Sequence, residues 1–467
     1  MVTPAFLAAL RASLGDTPVL VGADERAAYA HDALGVGPLP DVVVRPAHTA
    51  DVAAVARLCH EHGVPLIVRG AGTGYTGGAV ATRGGVVLAM DRLNRIIEID
   101  DVNLLAVVEP NVITADLQRA VEARGLFYPP DPASLEQSSL GGNVAECAGG
   151  PRAFKYGVTR RYVLGLEAVL PTGEIVRTGS KAVKNVVGYD LTQLLVGSEG
   201  TLAIVTRITL RLIPRPATSI TLLATFATID AAVDAVTALI RHRLVPAAIE
   251  LVDGESLRAV ARHVGQALVP EGCDAALLLE VDGSAAAAAE DAVSAAAACA
   301  EAGALSVDRA ATEEERQRLW TVRRQLSPAL KGPGIAKVNH DVVVPRGRIP
   351  QLFAELERLR QRHGLRIAAF GHAGDGNIHV NLLVDERDEA AVARAHVAER
   401  ELFERVVALE GSISGEHGIG FAKAPYLGIE LSPDEIALMQ RVKQAFDPKG
   451  ILNPGKIFPE PTPPARS

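Results

Sequence analysis

Two histidines separated by six residues lie in a segment with the sequence pattern of a β-hairpin. Apolar runs flank the glycine-rich turn 374–377, and this combination is a strong short-range indication of a hairpin. His372 would end the first strand and His379 would lie near the start of the second, so the pairing brings the two imidazoles together. Asn381 follows two residues after His379 and would project from the same face of its strand.

A carboxylate and another histidine are adjacent further along the chain. Glu416 and His417 lie within the glycine-rich segment 412–420. Two imidazoles and one carboxylate form the ligand set of a catalytic divalent-metal site with open positions for water or substrate. Two nearby histidines alone are more often ordinary core or surface residues. The residues therefore permit a metal site without requiring one.

The loop after the predicted strand 64–69 contains a GxGxxG pattern at Gly72–Gly77. Asp91 follows about twenty residues after the start of the pattern, as in a dinucleotide-binding fingerprint. Residues 78–85 are, however, too short and too glycine-rich for the helix that such a fingerprint must open. The loop can still present backbone N–H groups to a phosphate without obstruction by side chains. A plain connecting loop remains the alternative.

Composition limits the class of protein. A chain of 467 residues favours two or three domains. It is 48% hydrophobic and carries a net charge of −8, so we expect no nucleic-acid partner. No stretch approaches the roughly 20 apolar residues of a membrane span. The four cysteines are far apart, so the sequence contains no cysteine-rich iron–sulfur segment.

Further glycine-rich segments follow the first loop in a fixed order. They lie at 130–150, 187–191 and 197–204. Together with the loop 69–78, they resemble the FAD domain of the vanillyl-alcohol-oxidase-type flavoproteins, also called the PCMH fold. The resemblance runs from Asp41 to Ile457 and is strongest to the branch that contains GlcD-like glycolate oxidases, D-lactate dehydrogenases and D-2-hydroxyglutarate dehydrogenases.

The resemblance implies an FAD that is bound without a covalent link, because the first loop lacks the histidine that some relatives use. It places the pyrophosphate on Arg69, Gly70, Gly72, Thr73, Gly74, Gly77 and Gly78. The other cofactor contacts that it implies are Pro130, Asp131, Ser138, Gly142, Asn143, Gly149, Tyr156, Gly157, Glu199, Thr201, Ile204 and Asn453.

The same resemblance implies a divalent metal held by His372, His379 and Glu416. Zinc is the first expectation, with manganese and iron as alternatives. A 2-hydroxy acid can chelate such a metal through its carboxylate and hydroxyl. Asn381 and His417 would contact the substrate, and His417 would be the catalytic general base.

Further substrate contacts are implied near the only tryptophan. Arg323 matches a substrate-binding arginine of the family, and Ser327, four residues later, would share its helical face. In the D-2-hydroxyglutarate branch a lysine also meets the distal carboxylate. Lys337 is the candidate, although counting back from Asp341 places Asn339 at that position.

We therefore expect an α+β protein with a two-subdomain PCMH-type FAD-binding domain at 1–216, whose core is 41–215. A substrate or cap domain at 217–420 would contain a helix-covered sheet and the metal site. A C-terminal segment, 421–467, would pack back on the FAD domain.

The expected activity is oxidation of a D-2-hydroxy acid to the 2-oxo acid, with hydride transfer to flavin N5. D-lactate, glycolate and D-2-hydroxyglutarate are the substrate types. Two alternatives stay open: a flavin-binding subunit of a multi-subunit glycolate oxidase, and a metallohydrolase, which leaves the glycine-rich loops unexplained.

The electron acceptor is open among a quinone, a cytochrome, an electron-transfer flavoprotein, an iron–sulfur subunit and oxygen. We expect a cytoplasmic protein, with association at a membrane surface and homodimerisation both left open.

Overall fold

Short runs rich in valine, isoleucine and leucine form most strands of this protein, as expected for residues that fit a pleated, buried surface. The structure is a computed structural model and describes residues 2–265, 269–332 and 334–459. Its strands are β1 (Val19–Leu20), β2 (Val42–Val44), β3 (Leu66–Arg69), β4 (Val86–Ala89), β5 (Ile96–Asp100), β6 (Leu105–Val108), β7 (Leu126–Phe127), β8 (Val163–Val169), β9 (Ile175–Gly179), β10 (Ile204–Arg211), β11 (Ile213–Pro214), β12 (Thr218–Phe226), β13 (Ala248–Asp253), β14 (Ala275–Gly283), β15 (Ser306–Arg309), β16 (Ile335–Val343), β17 (Arg366–His372) and β18 (Asn377–Asp385).

Helices alternate with these strands, so the mixed class predicted from the sequence is confirmed. They are α1 (Pro4–Leu14), α2 (Ala23–Ala27), α3 (Thr49–His62), α4 (Thr114–Glu122), α5 (Leu140–Glu146), α6 (Ala153–Tyr156), α7 (Leu191–Leu195), α8 (Ile229–Arg241), α9 (Gly254–Val264), α10 (Ala285–Glu301), α11 (Glu313–Ala329), α12 (Ile349–His363), α13 (Glu389–Ala408), α14 (Leu427–Glu430) and α15 (Pro433–Phe446). Within the described ranges, no helix combines the length and apolar character needed to cross a bilayer.

The chain divides into two units. Unit 1 comprises 1–148, 158–215 and 416–467, and unit 2 comprises 149–157 and 216–415. Residues 460–467 of the predicted C-terminal segment, like Met1, lie outside the described residues.

Unit 1 contains two main sheets. In the four-stranded sheet β1-β2-β4-β3, strand β4 runs parallel to both β2 and β3. All three residues of Val42–Val44 are buried, and Val52, Val55 and Cys59 of α3 belong to the same hydrophobic core as Val42 and Val44. The second sheet, β5-β6-β10-β8-β9, is antiparallel. Strand β3 ends at Arg69, so the first glycine-rich loop leaves the carboxyl end of a buried strand.

Unit 2 is built on one antiparallel sheet of seven strands in the order β15-β12-β14-β13-β17-β18-β16. Helix α11 packs over one face, where its Arg323 reaches Glu250 of β13. Helix α13 lies on the other face, where its Phe403 contacts His340 of β16. Side chains two residues apart on a strand share a face. The register of the central strands therefore decides which side chains meet below α11.

Candidate flavin and metal sites

The predicted hairpin is present and brings the two histidines together. Strands β17 and β18 are antiparallel, with His372 opposite Asn377 and Phe370 opposite His379. The two imidazole rings lie with their centroids 5.2 Å apart and nearly perpendicular. Each histidine offers a ring nitrogen within 4.8 Å of that of the other, and both side chains are buried. Two converging buried imidazoles fit the nitrogen ligands of a zinc-type site.

A buried glutamate that the sequence analysis missed contacts one of these histidines. Glu250 of β13 lies directly opposite His372 of β17 and is 0% exposed. Its Oε1 lies 2.6 Å from His372 Nδ1. Its Oε2 accepts a hydrogen bond from Arg323 Nε at 2.6 Å and forms an ion pair with Arg323 Nη2 at 2.5 Å. Burial favours a raised pKa, but Arg323 and His372 outweigh it and lower the pKa of Glu250 to about 2. The carboxylate is therefore ionised at neutral pH.

Two asparagines lie beside each other on the same face of the sheet. Asn381 of β18 pairs with Asn339 of β16, and Asn381 is fully buried. The Asn381 side-chain amide donates to the carbonyl oxygens of Ala368 and His379. Within the described chain, the Oδ1 atoms of both asparagines are buried without a hydrogen-bond partner. Unpaired buried acceptors are rare in proteins, and this pair fits a ligand that donates hydrogen bonds.

The other predicted substrate residues contact protein groups. Arg323 is buried, and its guanidinium lies 4.9 Å from the centroid of the Phe370 ring as well as on Glu250. Lys337 Nζ donates to Ser327 Oγ at 2.6 Å, which joins α11 to β16. Burial, followed by the nearby charge of Lys331, lowers the pKa of Lys337 to about 8.

The third predicted metal ligand, Glu416, is the first residue of unit 1 after unit 2 ends at Gly415. The backbone N–H of Gly415 donates to both the carbonyl oxygen and the Oδ2 of Asp341, at 3.1 and 2.9 Å. Asp341 pairs with His379 across β16 and β18. The peptide bond thus attaches Glu416 to an anchored backbone position, and its role as a ligand stays a prediction.

In unit 1 the first glycine-rich loop has backbone donors that no protein acceptor among the described residues satisfies. No helix follows it within 70–85, as the sequence predicted. Gly77 has φ +76°, and a Cβ there would lie 2.0 Å from the Phe421 ring. Over the described residues, the backbone N–H groups of Gly72, Thr73 and Gly74 have no internal acceptor, and Arg69 Nη1 is buried without one. These donors fit the pyrophosphate of FAD.

The segment that contains His417 is tied to this loop. Thr76 Oγ1 donates to the His417 carbonyl oxygen at 3.1 Å, and the Tyr75 and His417 rings lie 5.3 Å apart. Glu199, predicted as a cofactor contact, accepts the backbone N–H groups of Ile419 and Gly420 at 2.8 and 2.7 Å. Its carboxylate therefore holds the 417–420 backbone.

Several other predicted cofactor residues form a hydrogen-bonded support in unit 1. Asn453 donates to the carbonyl oxygens of Gly78 and Glu199. Ser138 and Asn143 both bond Thr114 Oγ1, at 3.0 and 2.7 Å. Of the remaining predicted residues of this unit, Gly70 and Gly142 lie next to the Ser139 hydroxyl. The Pro130 carbonyl oxygen accepts a hydrogen bond from the Gln118 side-chain amide. Asp131 and Thr201 are buried, and Ile204 begins β10.

Ser139 was missed by the sequence analysis although it joins two of the glycine-rich segments. Its hydroxyl accepts the N–H of Ala71 in the first loop and the N–H of Gly142 at the start of α5. A serine directly before a helix is a common N-cap, so its position was a usable indication.

Three predicted cofactor residues belong to unit 2. Gly149, Tyr156 and Gly157 lie in the segment 149–157. The Tyr156 hydroxyl donates to Asp282 Oδ2 at 2.7 Å, and Lys155 pairs with the same carboxylate. Their contact with a cofactor stays a prediction.

Comparisons with known proteins match both parts of the chain. A family model described as "FAD binding domain" matches residues 40–179, and one described as "FAD linked oxidases, C-terminal domain" matches 215–457. The chain is 44% identical to the glycolate oxidase subunit GlcD of Bacillus subtilis, over 93% of this chain and 92% of that one.

Two other relatives have different names. The chain is 37% identical to a D-lactate dehydrogenase of Anaerostipes hadrus, with 98% of each covered. It is 35% identical to a D-2-hydroxyglutarate dehydrogenase of Stutzerimonas stutzeri, over 98% of this chain and 100% of that one.

Among solved structures, p-cresol methylhydroxylase superposes with a TM-score of 0.82 at 20% identity, covering 98% of each chain. This confirms the predicted PCMH-type fold. The family models and the relatives confirm FAD as a cofactor and confirm the predicted class of enzyme: the chain belongs to the FAD-linked oxidases and is an FAD-dependent oxidoreductase.

Proposed function

We propose that this protein oxidises a D-2-hydroxy acid to the 2-oxo acid with the help of FAD and a divalent metal. The observation that carries the proposal is the buried pair His372 and His379, with the ring of His372 bonded to an ionised Glu250. A histidine whose second nitrogen is bonded to a carboxylate is the usual arrangement of a metal-ligating imidazole. Relatives named for three 2-hydroxy acids support the choice of substrate class.

The proposed reaction removes a hydride from Cα and a proton from the hydroxyl. When bound, FAD supplies the hydride acceptor, and a divalent metal supplies a Lewis acid for the hydroxyl and carboxylate oxygens. His372, His379 and Glu416 are the proposed ligands of the metal. His417 accepts the hydroxyl proton as general base, and its attachment to the glycine-rich loop through Thr76 supports this role.

Asn381 and Lys337 are proposed to select the substrate. Asn381, whose Oδ1 is buried and unpaired, is proposed to contact the substrate, while the hydroxyl proton goes to His417. Lys337 lies on the same face of the sheet, because Lys337, Asn339 and Asp341 alternate along β16. A distal carboxylate is the substrate group that this half-buried ammonium would bind. Lys337 therefore favours a dicarboxylate, whereas D-lactate and glycolate have no distal carboxylate for it to bind.

A second candidate is the same chemistry carried out within an assembly. The relative from Bacillus subtilis is named a subunit of glycolate oxidase, and so is one from Escherichia coli. In this case a partner protein accepts the electrons, and the isolated chain turns over only with an artificial dye.

The test is anaerobic flavin bleaching by the purified protein with D- and L-forms of lactate and 2-hydroxyglutarate, and with glycolate. We expect bleaching by at least one of the D-acids or glycolate, loss of bleaching after dialysis against a chelator, and recovery with Zn²⁺ or Mn²⁺. Bleaching that is insensitive to chelator would remove the metal from the proposal. A flavin that none of these acids bleaches would contradict the substrate class.

A further inference from the structure

Glu250 occupies an unusual place for a charged residue. It lies in the middle of β13, a central strand of the seven-stranded sheet, and is 0% exposed. A buried carboxylate is costly unless a partner compensates its charge and hydrogen bonds satisfy its oxygens. Both oxygens of Glu250 have a partner: Arg323 on Oε2 and His372 on Oε1.

The contact with His372 follows from the register of the sheet. Glu250 and His372 are direct partners across β13 and β17, so their side chains leave the same face at adjacent positions. Because the carboxylate is an acceptor, the imidazole Nδ1 at 2.6 Å carries the proton and donates it. In the neutral tautomer with this proton the lone pair is on Nε2, and the bond to Glu250 holds the ring against rotation.

Arg323 completes the arrangement from α11. Its Nε donates a hydrogen bond to Oε2 and its Nη2 forms an ion pair with the same oxygen, so the guanidinium approaches the carboxylate from one side and leaves Oε1 directed at His372. The stacking of Arg323 on Phe370 fixes the guanidinium in turn. The family resemblance assigns Arg323 to the substrate. In the structure Arg323 bonds Glu250, which in turn contacts His372, a proposed metal ligand.

We propose that Glu250 is a positioning residue, held by Arg323, that fixes the ring and tautomer of His372 so that Nε2 is presented to a divalent metal. This inference rests on the proposed function, because it assumes that His372 is a metal ligand. Glu250 contacts no reacting atom and acts through His372.

The same sheet supplies a matched control. Glu280 of β14 is also buried, at 3% exposed, and its Oε2 accepts hydrogen bonds from Arg316, Trp320 and Thr221. Glu280 therefore anchors α11 on the sheet through an arginine, as Glu250 does, but without a histidine contact among the bonds of the described residues. If Glu250 served only to anchor α11, the two glutamates would respond alike.

The experiment measures the affinity of the FAD-loaded full-length protein for Zn²⁺ by competition with a chromophoric chelator. Glu250→Gln removes the charge, Glu250→Asp shortens the side chain by one methylene, and Glu280→Gln is the control. Loss of a carboxylate behind a ligating histidine weakens metal binding by about 10- to 100-fold. We expect a loss in this range for Glu250→Gln, a smaller loss for Glu250→Asp, and wild-type affinity for Glu280→Gln. The visible spectrum of the Co²⁺-loaded protein should change only in the Glu250 variants.

The outcomes separate this inference from the proposed function. Wild-type affinity and an unchanged Co²⁺ spectrum in both Glu250 variants would overturn the positioning role while leaving the metal site in place. A wild-type protein that binds no Zn²⁺ would overturn the metal site itself, and the inference with it. If Glu250→Gln does not fold, the Zn²⁺ affinities of Glu250→Asp and Arg323→Lys test the positioning role instead. Arg323→Lys keeps the charge but loses the two-point contact, so we expect weaker Zn²⁺ binding, and unchanged binding would count against the inference.

Discussion

The glycine-rich loop of unit 1 and the histidine hairpin of unit 2 build binding sites by opposite means. The loop offers backbone N–H groups, and glycine at positions such as Gly77 keeps side-chain atoms out of the way. The hairpin offers side chains, and its antiparallel register fixes which of them meet. A substitution that adds side-chain atoms should therefore disrupt the loop, whereas a substitution that removes a side chain should disrupt the hairpin site. Variants of the two regions should affect flavin and metal separately.

The largest effect is expected from removal of one imidazole of the hairpin. His379→Ala should reduce metal content to background and lower turnover by about 10²- to 10³-fold. Lewis-acid stabilisation of the substrate oxygens is worth several kcal/mol, and each 1.36 kcal/mol is about tenfold in rate. Flavin content should stay at the wild-type level. Metal analysis, flavin absorbance and steady-state kinetics measure the three quantities.

His340 is the matched control for this variant. It is buried in β16, next to the strand of His379, but faces α13, where it pairs with Glu399 at 3.2 Å. His340→Ala should lower the melting temperature and leave the metal content per folded protein unchanged. Equal loss of metal in both variants would mean that the hairpin site depends on general packing, and the contrast between the two regions would fail.

The converse variant adds one methyl group to the loop. Gly77→Ala places a Cβ within 2.0 Å of the Phe421 ring at φ +76°. Left-handed backbone costs an L-residue about 1–2 kcal/mol, and overpacking adds about 1–3 kcal/mol. We expect a lower melting temperature and a protein purified with little flavin, but with intact Zn²⁺ affinity.

Gly125→Ala separates backbone strain from steric clash. Gly125 has φ +73° and open space around its Cβ position. Gly125→Ala should therefore be destabilised only by the left-handed backbone conformation, and it should keep its flavin. Full flavin content in Gly77→Ala would show that the loop adapts, and the argument from close packing would be wrong.

The hairpin could be predicted from the sequence because its determinants are local. A glycine-rich turn between two apolar runs gives both the strands and the approach of His372 to His379. Glu250 could not be found in this way, because it lies 122 residues before His372. Its partner is decided by the order β13-β17 in the sheet, which no local pattern encodes. In sequence alone it is one glutamate in an apolar run.

The loop was predictable for a different reason. The absence of a helix after Gly77 follows from the shortness of the segment before β4, so the dinucleotide-type fingerprint could be rejected. The support behind the loop, including Ser139 and Asn453, depends on long-range hydrogen bonds to Ala71 and Gly78. The cofactor contact of Asn453 that the family resemblance implies stays a prediction, and the structure adds a hydrogen bond by which Asn453 holds the loop backbone.

A smaller and more selective effect is expected from Lys337, which lies on the same face of the sheet as the hairpin histidines. Lys337→Ala should raise the KM for D-2-hydroxyglutarate by about 10- to 100-fold, because a hydrogen bond to a charged group contributes about 1.5–3 kcal/mol. The KM for D-lactate should change little, since it has no distal carboxylate. Ser327→Ala, which removes only the hydroxyl bonded to Lys337, is the milder comparison. Equal effects on both substrates would indicate that Lys337 supports the fold and does not select the acid.

The smallest effect is a pH dependence that should come from Lys337 of β16, on the same face of the sheet as the hairpin histidines. Burial and Lys331 lower the pKa of Lys337 to about 8, so its ammonium is present at pH 7 and is largely lost at pH 9. At one unit above the pKa about one tenth of a group is protonated. The KM for D-2-hydroxyglutarate, divided by that for D-lactate, should therefore rise several-fold between pH 7 and pH 9. The ratio cancels any pH dependence that the two acids share. In Lys337→Ala the ratio should be high at both pH values, because the titrating ammonium is gone. A wild-type ratio that is flat or falls as pH rises would place the distal carboxylate elsewhere.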